Sequence, residues 1–227
     1  VRILVLDTAL GFCSAAVFDG GGKESVSGQS LTMDRGHAEA LIPLVESVMA
    51  DVPGGFSSLD RIAVTVGPGS FTGLRVALSA ARAFGFAAQK PVFGISTLQA
   101  FAEPWRGHGD GLAIASVIDA RHKHVYFELI GCHGESLHSA AIVPIDEAVQ
   151  CLRDKSVRLV GSAASLLGEA AAQAGLNPRV EPDQLGPDPK AIALFCARSD
   201  ATSCPPSPLY LRPPDVTPQT GGRIARK

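Results

Sequence analysis

The stretch from Val66 to Val76, Val-Gly-Pro-Gly-Ser-Phe-Thr-Gly-Leu-Arg-Val, constrains the fold more than any other part of the chain. It joins an apolar run, Ile62 to Val66, to a helix-like run, Thr72 to Gln89, so a strand must hand over to a helix there. Gly67 and Gly69 permit backbone angles closed to other residues, Pro68 stiffens the turn between them, and Ser70 or Thr72 can accept from the first N–H groups of the helix. A bare helix start also favours anions. The spacing fits neither familiar phosphate loop: Gly-Lys-Ser/Thr is absent, and glycines at 67, 69 and 73 miss the dinucleotide pattern by one residue. A ligand-free turn that aims the helix is the alternative. Within the helix, Gly73, Ala77, Ala81 and Gly85 recur every four residues and form a smooth ridge that another helix can approach closely.

A chain of 227 residues with 46% apolar content has enough material for a well-buried core, as one large domain or two small ones. Its formal charge of -2 gives no general pull on nucleic acid. The cluster Arg223, Arg226 and Lys227 is a candidate local patch, with a solvated tail as the competing reading. Five cysteines, at 13, 132, 151, 196 and 204, include no Cys-x-x-Cys pair, so neither a disulfide frame nor a zinc knuckle is indicated, and a reducing, cytoplasmic setting is expected. Val1 to Leu6 is broken by Asp7 and makes a poor signal peptide, and no apolar run is long enough for a bilayer, so a soluble protein without membrane contact is expected.

In chain order, Val1 to Leu6 reads as a buried strand tipped by Asp7-Thr8. Two further strands, Ser14 to Phe18 and Lys23 to Gln29, complete an antiparallel meander. A helix follows from about His37 to Ala50, with Pro43 inside it and two overlapping apolar faces, Leu41, Leu44, Val45, Val48 and Ala38, Ile42, Val45, Met49. That width suggests a helix covered from two sides. After the strand and helix around Gly67 come a strand at Pro91 to Ile95, a short helix from Thr97 and a glycine-rich linker, Trp105 to Gly111. The order then repeats: a strand from Leu112 to Ile118 tipped by Asp119, its partners His124 to Ile130 and Leu137 to Val143, a helix at Ile145 to Arg153, a strand at Val157 to Val160, and helices at Ser162 to Ala174 and Lys190 to Ala201. Residues 1–106 and 107–214 therefore form two halves of like pattern, with an extended proline-rich segment from Pro205 to Pro214 and a loose tail over 215–227.

Two halves, each led by a strand tipped with Asp, are the layout of the α/β superfamily of actin, sugar kinases and heat-shock chaperone ATPases (ASKHA), built from two ribonuclease H-like units. Within it the sequence resembles the TsaB (YeaZ) family, a component of the bacterial machinery for threonylcarbamoyladenosine in tRNA. The resemblance is carried by Ile3-Leu-Val-Leu-Asp-Thr8, His37 to Pro43, Gly67 to Arg75, Pro91 to Leu98, Asp119-Ala-Arg121 with Val125-Tyr126, Gly161-Ser-Ala163 and Pro208-Leu-Tyr-Leu-Arg212. It spans nearly the whole chain, and Gly67 to Arg75 is its most specific block.

The resemblance implies a non-catalytic subunit that pairs with the transferase TsaD, as a heterodimer or as a homodimer when alone, with the ATPase TsaE as a further partner and tRNA contacted through the complex. TsaD carries a His-x-x-x-His metal motif; here His37 stands at its first position and Leu41 at its second, and one imidazole cannot hold a catalytic metal. No intrinsic cofactor or metal is expected. ATP or ADP at a site shared with a partner is the reservation, for which Asp7, Thr8, Asp119 and Gly161 are the candidate residual contacts. Gly67, Pro68, Gly69, Ser70, Thr72 and Arg75 form the motif loop. The expected partner-binding residues are His37, Leu41, Ile42, Val45 and Met49 on the first helix, and Gly73, Ala77, Ala81 and Gly85 on the second. The competing function is an ASKHA-type ATPase or a glycopeptidase-like metalloenzyme of the M22 kind. His122 and His124, beside Arg121 and Lys123, read as an exposed basic edge.

Overall fold

A computed structural model describes residues 1–200 and 202–211. Arg212, Arg223, Arg226, Lys227 and the tail expected over 215–227 lie outside the described residues.

The first sheet comprises β1 (Ile3–Asp7), β2 (Phe12–Asp19), β3 (Glu24–Thr32), β4 (Arg61–Gly67) and β5 (Val92–Ser96), in the order β3-β2-β1-β4-β5. β1 pairs antiparallel with β2 and parallel with β4, so it is covered on both edges and both faces, and all five of its residues are buried. A central strand of this kind must read as an unbroken apolar run, and Ile3 to Leu6 does. β3 forms the outer edge and carries Ser, Gln and Glu in place of a second apolar face.

The second sheet repeats this plan with β6 (Ala113–Arg121), β7 (His124–Ile130), β8 (Ser136–Pro144), β9 (Val157–Val160) and β10 (Arg179–Val180), in the order β10-β9-β6-β7-β8. β6 corresponds to β1, antiparallel to β7 and parallel to β9. The two-residue strand β10 carries no apolar alternation and was not expected from the sequence.

Helices α1 (His37–Ala50) and α2 (Phe71–Ala88) cover one face of the first sheet, where Leu41, Val45, Ala77 and Ala81 pack with Leu4, Leu6 and Val64. α1 runs through Pro43, which lies exposed on its outer side. On the second sheet, α4 (Ile145–Cys151) and α5 (Ala164–Gln173) cover one face, and α3 (Thr97–Ala102) sets Leu98 and Phe101 against Ile114, Ile118 and Ile130 on the other. α6 (Pro189–Arg198) departs from the sequence order: Ile192, Ala193 and Cys196 pack against Ile3, Val5 and Phe93 of the first sheet. The segment beyond it follows. Gly94 N donates to Cys204 O at 2.9 Å and Leu209 N to Val66 O at 2.8 Å. α6 and residues 204–209 therefore pack on the first sheet, although the sequence groups them with 107–214, and Leu211 beyond them packs with Leu98, Ile114 and Ile118. The apolar spacing of α6 shows that the helix buries a face but not which sheet receives it.

Buried polar groups surround the linker between the halves. Arg158, only 1% exposed, pairs with Asp110 and Glu181 and stacks 4.0 Å from the Trp105 ring centre. Glu103, at 5% exposure, accepts from Arg198 of α6 and pairs with Arg106. Among the described residues, no helix is long and apolar enough to cross a membrane.

Candidate functional site

The turn before α2 is filled by the chain itself. Gly67 has φ 111°, and the Gly67-Pro68 peptide is cis. A Cβ on Gly69 would lie 2.3 Å from Ala9 O, and one on Gly73 would lie 2.0 Å from Thr8 O. These glycines admit the backbone of the β1–β2 turn, in the space where a phosphate loop would receive its ligand. Ser70 N donates to Ala9 O at 2.8 Å, Thr8 Oγ1 donates to Gly73 O at 2.6 Å, and Ser70 Oγ accepts from Gly73 N at 3.2 Å as the helix cap. The motif loop thus locks β1, β4 and α2 together. Of its remaining residues, Pro68 is buried, while Thr72 and Arg75 are exposed on the outer side of α2.

The two strand-tip acids, alike in sequence, are placed differently. Asp7 is fully buried: its Oδ1 accepts from Thr65 Oγ1 at 2.5 Å and Ala9 N at 3.0 Å, and its Oδ2 has no partner. The segment before α6 crosses over it, with Gly186 next to Oδ2 and Gly11 N bonded to Leu185 O at 2.8 Å. Burial pushes the Asp7 carboxyl up to about 6, against the opposing effect of the Thr65 hydrogen bond. Asp119, by contrast, is exposed at the tip of β6, where its Oδ1 accepts from Arg121 N at 2.7 Å. It lines an inter-half cleft of about 510 Å³ with Leu10, Ser70, Arg121, Ser162 and Leu185. Gly161, at φ 115°, lies where a Cβ would be 2.3 Å from Val117 O, so it serves close packing of β9 on β6. The four candidate nucleotide contacts do not form one cluster, because Asp7 and Thr8 are sealed and only Asp119 faces the cleft. A pair of acids gripping metal and phosphate does not fit this arrangement.

His37 opens α1 at 9% exposure with Nε2 unpartnered, and Leu41 behind it is fully buried. Among the described residues, no three His, Cys, Asp or Glu side chains gather in a way that could hold a metal.

The pairing surface needs correction. Leu41, Val45, Met49, Ala77 and Ala81 are all buried within the chain, at 7% exposure or less, and Gly73 and Gly85 are buried with them. The ridge exists, but it faces inward: a Cβ on Gly85 would meet Val92 Cγ2 at 2.3 Å, so the small residues let α2 settle on its own sheet. Of the expected pairing residues, only Ile42, 50% exposed, lies fully on the surface. The outer side of α2 carries Phe71, Arg75, Arg82 and Phe86, with Phe86 at 90% exposure. Arg75 stacks 3.8 Å over the Phe71 ring, and Tyr210 from the C-terminal segment lies 5.6 Å from the same ring. Phe71 and Arg75 stand two residues before Gly73 and Ala77, about 200° away around a helix, and that offset was the available signal for a second face.

The fold places the protein in the class of actin-like proteins with two related α/β halves, in a form whose first strand-tip acid is sealed. A family model described as TsaD: tRNA N6-adenosine threonylcarbamoyltransferase matches residues 31–181, more than half of the chain. An uncharacterised protein of Mycobacterium tuberculosis is 36% identical over 196 residues, 85% of this chain and 83% of that one. The tRNA threonylcarbamoyladenosine biosynthesis protein TsaB of Escherichia coli is 33% identical over 128 residues, 56% of this chain and 54% of that one. The structure of YeaZ from Pseudomonas aeruginosa matches with a TM-score of 0.71 at 26% identity, covering 92% of this chain and 99% of that one. The ethanolamine utilization protein EutJ of Carboxydothermus hydrogenoformans, at TM-score 0.51 and 15% identity over 86% of this chain and 90% of that one, shares the fold. The chain belongs to the TsaD-related family, in its TsaB (YeaZ) branch.

Proposed function

We propose that this protein is a non-catalytic subunit of tRNA threonylcarbamoyladenosine biosynthesis, which docks on the TsaD transferase and supports it. The observation that carries the reading is the sealing of Asp7: the acid best placed for phosphate chemistry is engaged by Thr65 and Ala9 and covered by the 185–188 segment. What the scaffold leaves open is a surface. Ile42 on α1 and Phe71 and Phe86 on α2 are large apolar side chains held outward by helices whose inner faces are tightly packed. Docking through this face, with TsaD or in its absence with a second copy, leaves the core undisturbed. TsaE joins through TsaD in this reading, and nucleotide binds with the assembly rather than to this chain alone.

The test is reconstitution of tRNA modification from TsaD, TsaE, the threonylcarbamoyl-adenylate synthase and this chain. Omitting the chain should abolish or strongly slow modification, and adding it back should restore it. Equal modification with and without the chain refutes the reading.

A further inference from the structure

We propose that the tip of the β6–β7 hairpin, Arg121 to His124, is a contact site for the phosphate backbone of RNA. The choice of RNA rests on the reading above; the site itself rests on the turn. Arg121 pairs with His124 across the hairpin, leaving His122 and Lys123 as a two-residue turn. Three successive residues have positive φ: 62° at Arg121, 52° at His122 and 61° at Lys123. A two-residue turn with both central φ values positive favours Asn-Gly, residues that adopt such angles at little cost. Here the chain places an imidazole and an ammonium there instead. Local folding preference therefore does not account for the residues, and violations of this kind concentrate at working sites.

The presentation is rigid. Arg121 N donates to Asp119 Oδ1 at 2.7 Å, Lys123 O accepts from Ile145 N at 3.0 Å, and His124 Nδ1 lies 2.8 Å from His122 O. Arg121, His122 and Lys123 are exposed, and among the described residues none of the four tip side chains is in an ion pair. The acids around the tip are Asp119, whose Oδ1 is engaged by backbone, Asp34 across the cleft, and Asp146 and Glu147 in the first turn of α4. Four consecutive basic or imidazole side chains with no apolar residue among them suit repeating phosphates. They lack the buried aromatic or aliphatic anchor on which protein partners depend.

The experiment measures binding of the full chain to an unmodified tRNA transcript across a salt series, with polyglutamate as competitor, while thermal melting reports folding. His122→Asn combined with Lys123→Gly should melt about 2–6 °C higher, because the strained angles are relieved. The same variant should bind tRNA about tenfold more weakly, with a salt slope smaller by about one. Arg121→Ala should lower the slope by about one again, whereas Lys155→Ala on a distant loop should change neither quantity. The proposal is overturned if wild-type chain shows no salt-dependent tRNA retention, if the turn-relieved variant binds tRNA as wild type does, or if polyglutamate displaces tRNA at equal charge concentration, which would assign the tip to an acidic protein. A chain dispensable for modification that still binds tRNA through the tip would sink the functional reading and leave this site standing. A chain required for modification whose turn variant still binds tRNA normally would do the reverse.

Discussion

Asp7→Asn should stabilise the protein at neutral pH. The Asp7 carboxyl is raised from 3.8 to about 6 by complete burial. Such a group supports the fold fully below the unfolded value, and its contribution is lost as pH rises toward the folded one. Below pH 3.8 both states hold the proton. Between there and about 6 the unfolded chain ionises first, and above about 6 the whole penalty, about 3 kcal/mol, is in force. In the Asn variant Oδ1 keeps its place as acceptor for Thr65 and Ala9, while the amide NH₂ replaces the unpartnered Oδ2 and costs about 1–2 kcal/mol as an unsatisfied donor. The net gain is about 1–2 kcal/mol at pH 7.5, or about 2–8 °C in Tm for a chain of this size. Urea unfolding of both proteins at pH 7.5 and 4.5 tests this. The variant's advantage should shrink by about 2 kcal/mol at the lower pH, where wild-type Asp7 holds its proton in the folded state. Glu103 and Glu128, also raised by burial, titrate in both proteins and cancel in the difference. A variant less stable than wild type at pH 7.5, or an advantage independent of pH, would refute the reasoning.

Phe86→Asp, at a side chain 90% exposed, should change the unfolding free energy from urea titration by no more than about 0.5 kcal/mol yet abolish co-elution with TsaD; retained co-elution would remove α2's outer face from the proposed interface. Ala81→Asp puts a charge into the core between α2 and the first sheet and should cost more than about 4 kcal/mol, seen as loss of soluble protein or of a cooperative melt. Gly73→Ala forces a Cβ to within 2.0 Å of Thr8 O, and the resulting shift of α2 should cost about 3 kcal/mol by urea titration. Arg158→Ala removes the buried guanidinium that pairs with Asp110 and covers Trp105, while Glu181 keeps its pair with Arg179, so it should cost about 2 kcal/mol by urea titration and change Trp105 fluorescence.

Much of the fold was legible because local chemistry decides it. α1 starts at His37 and ends at Ala50, and β7 spans His124–Ile130, as their apolar periods and flanking turn residues predict. α2 begins one residue before the expected Thr72 because Ser70, one of the two foreseen caps, accepts from Gly73 N. Less legible was everything that depends on what one element meets. The Gly73 to Gly85 ridge signals close approach, and the same signal arises whether the neighbour is another molecule or the helix's own sheet. Asp7 and Asp119 each end an apolar strand, and only the path of residues 185–188, set by where α6 docks, buries one and leaves the other in the cleft. His122-Lys123 offers no turn signature in sequence, so its strained geometry emerges only with the register of β6 on β7.

The two ends of β1 and β4 show how this fold converts a ligand site into a support. A helix start with free N–H groups and glycines before it can receive an anion, provided the space opposite is open. Here Ala9 O takes the Ser70 N–H, Thr8 Oγ1 binds Gly73 O, and Leu209 N reaches Val66 O from the far side. The first two tie the start of α2 to the turn after β1, and the third ties the C-terminal segment to β4; that segment in turn lays Tyr210 against Phe71 and fixes Arg82 through Pro206 O. The backbone atoms that close the site thereby fix the orientation of α2's outer face. The loop's glycines and the exposed aromatics are therefore one device, and in the docking proposed above, loosening the turn should weaken binding by tilting α2's outer face.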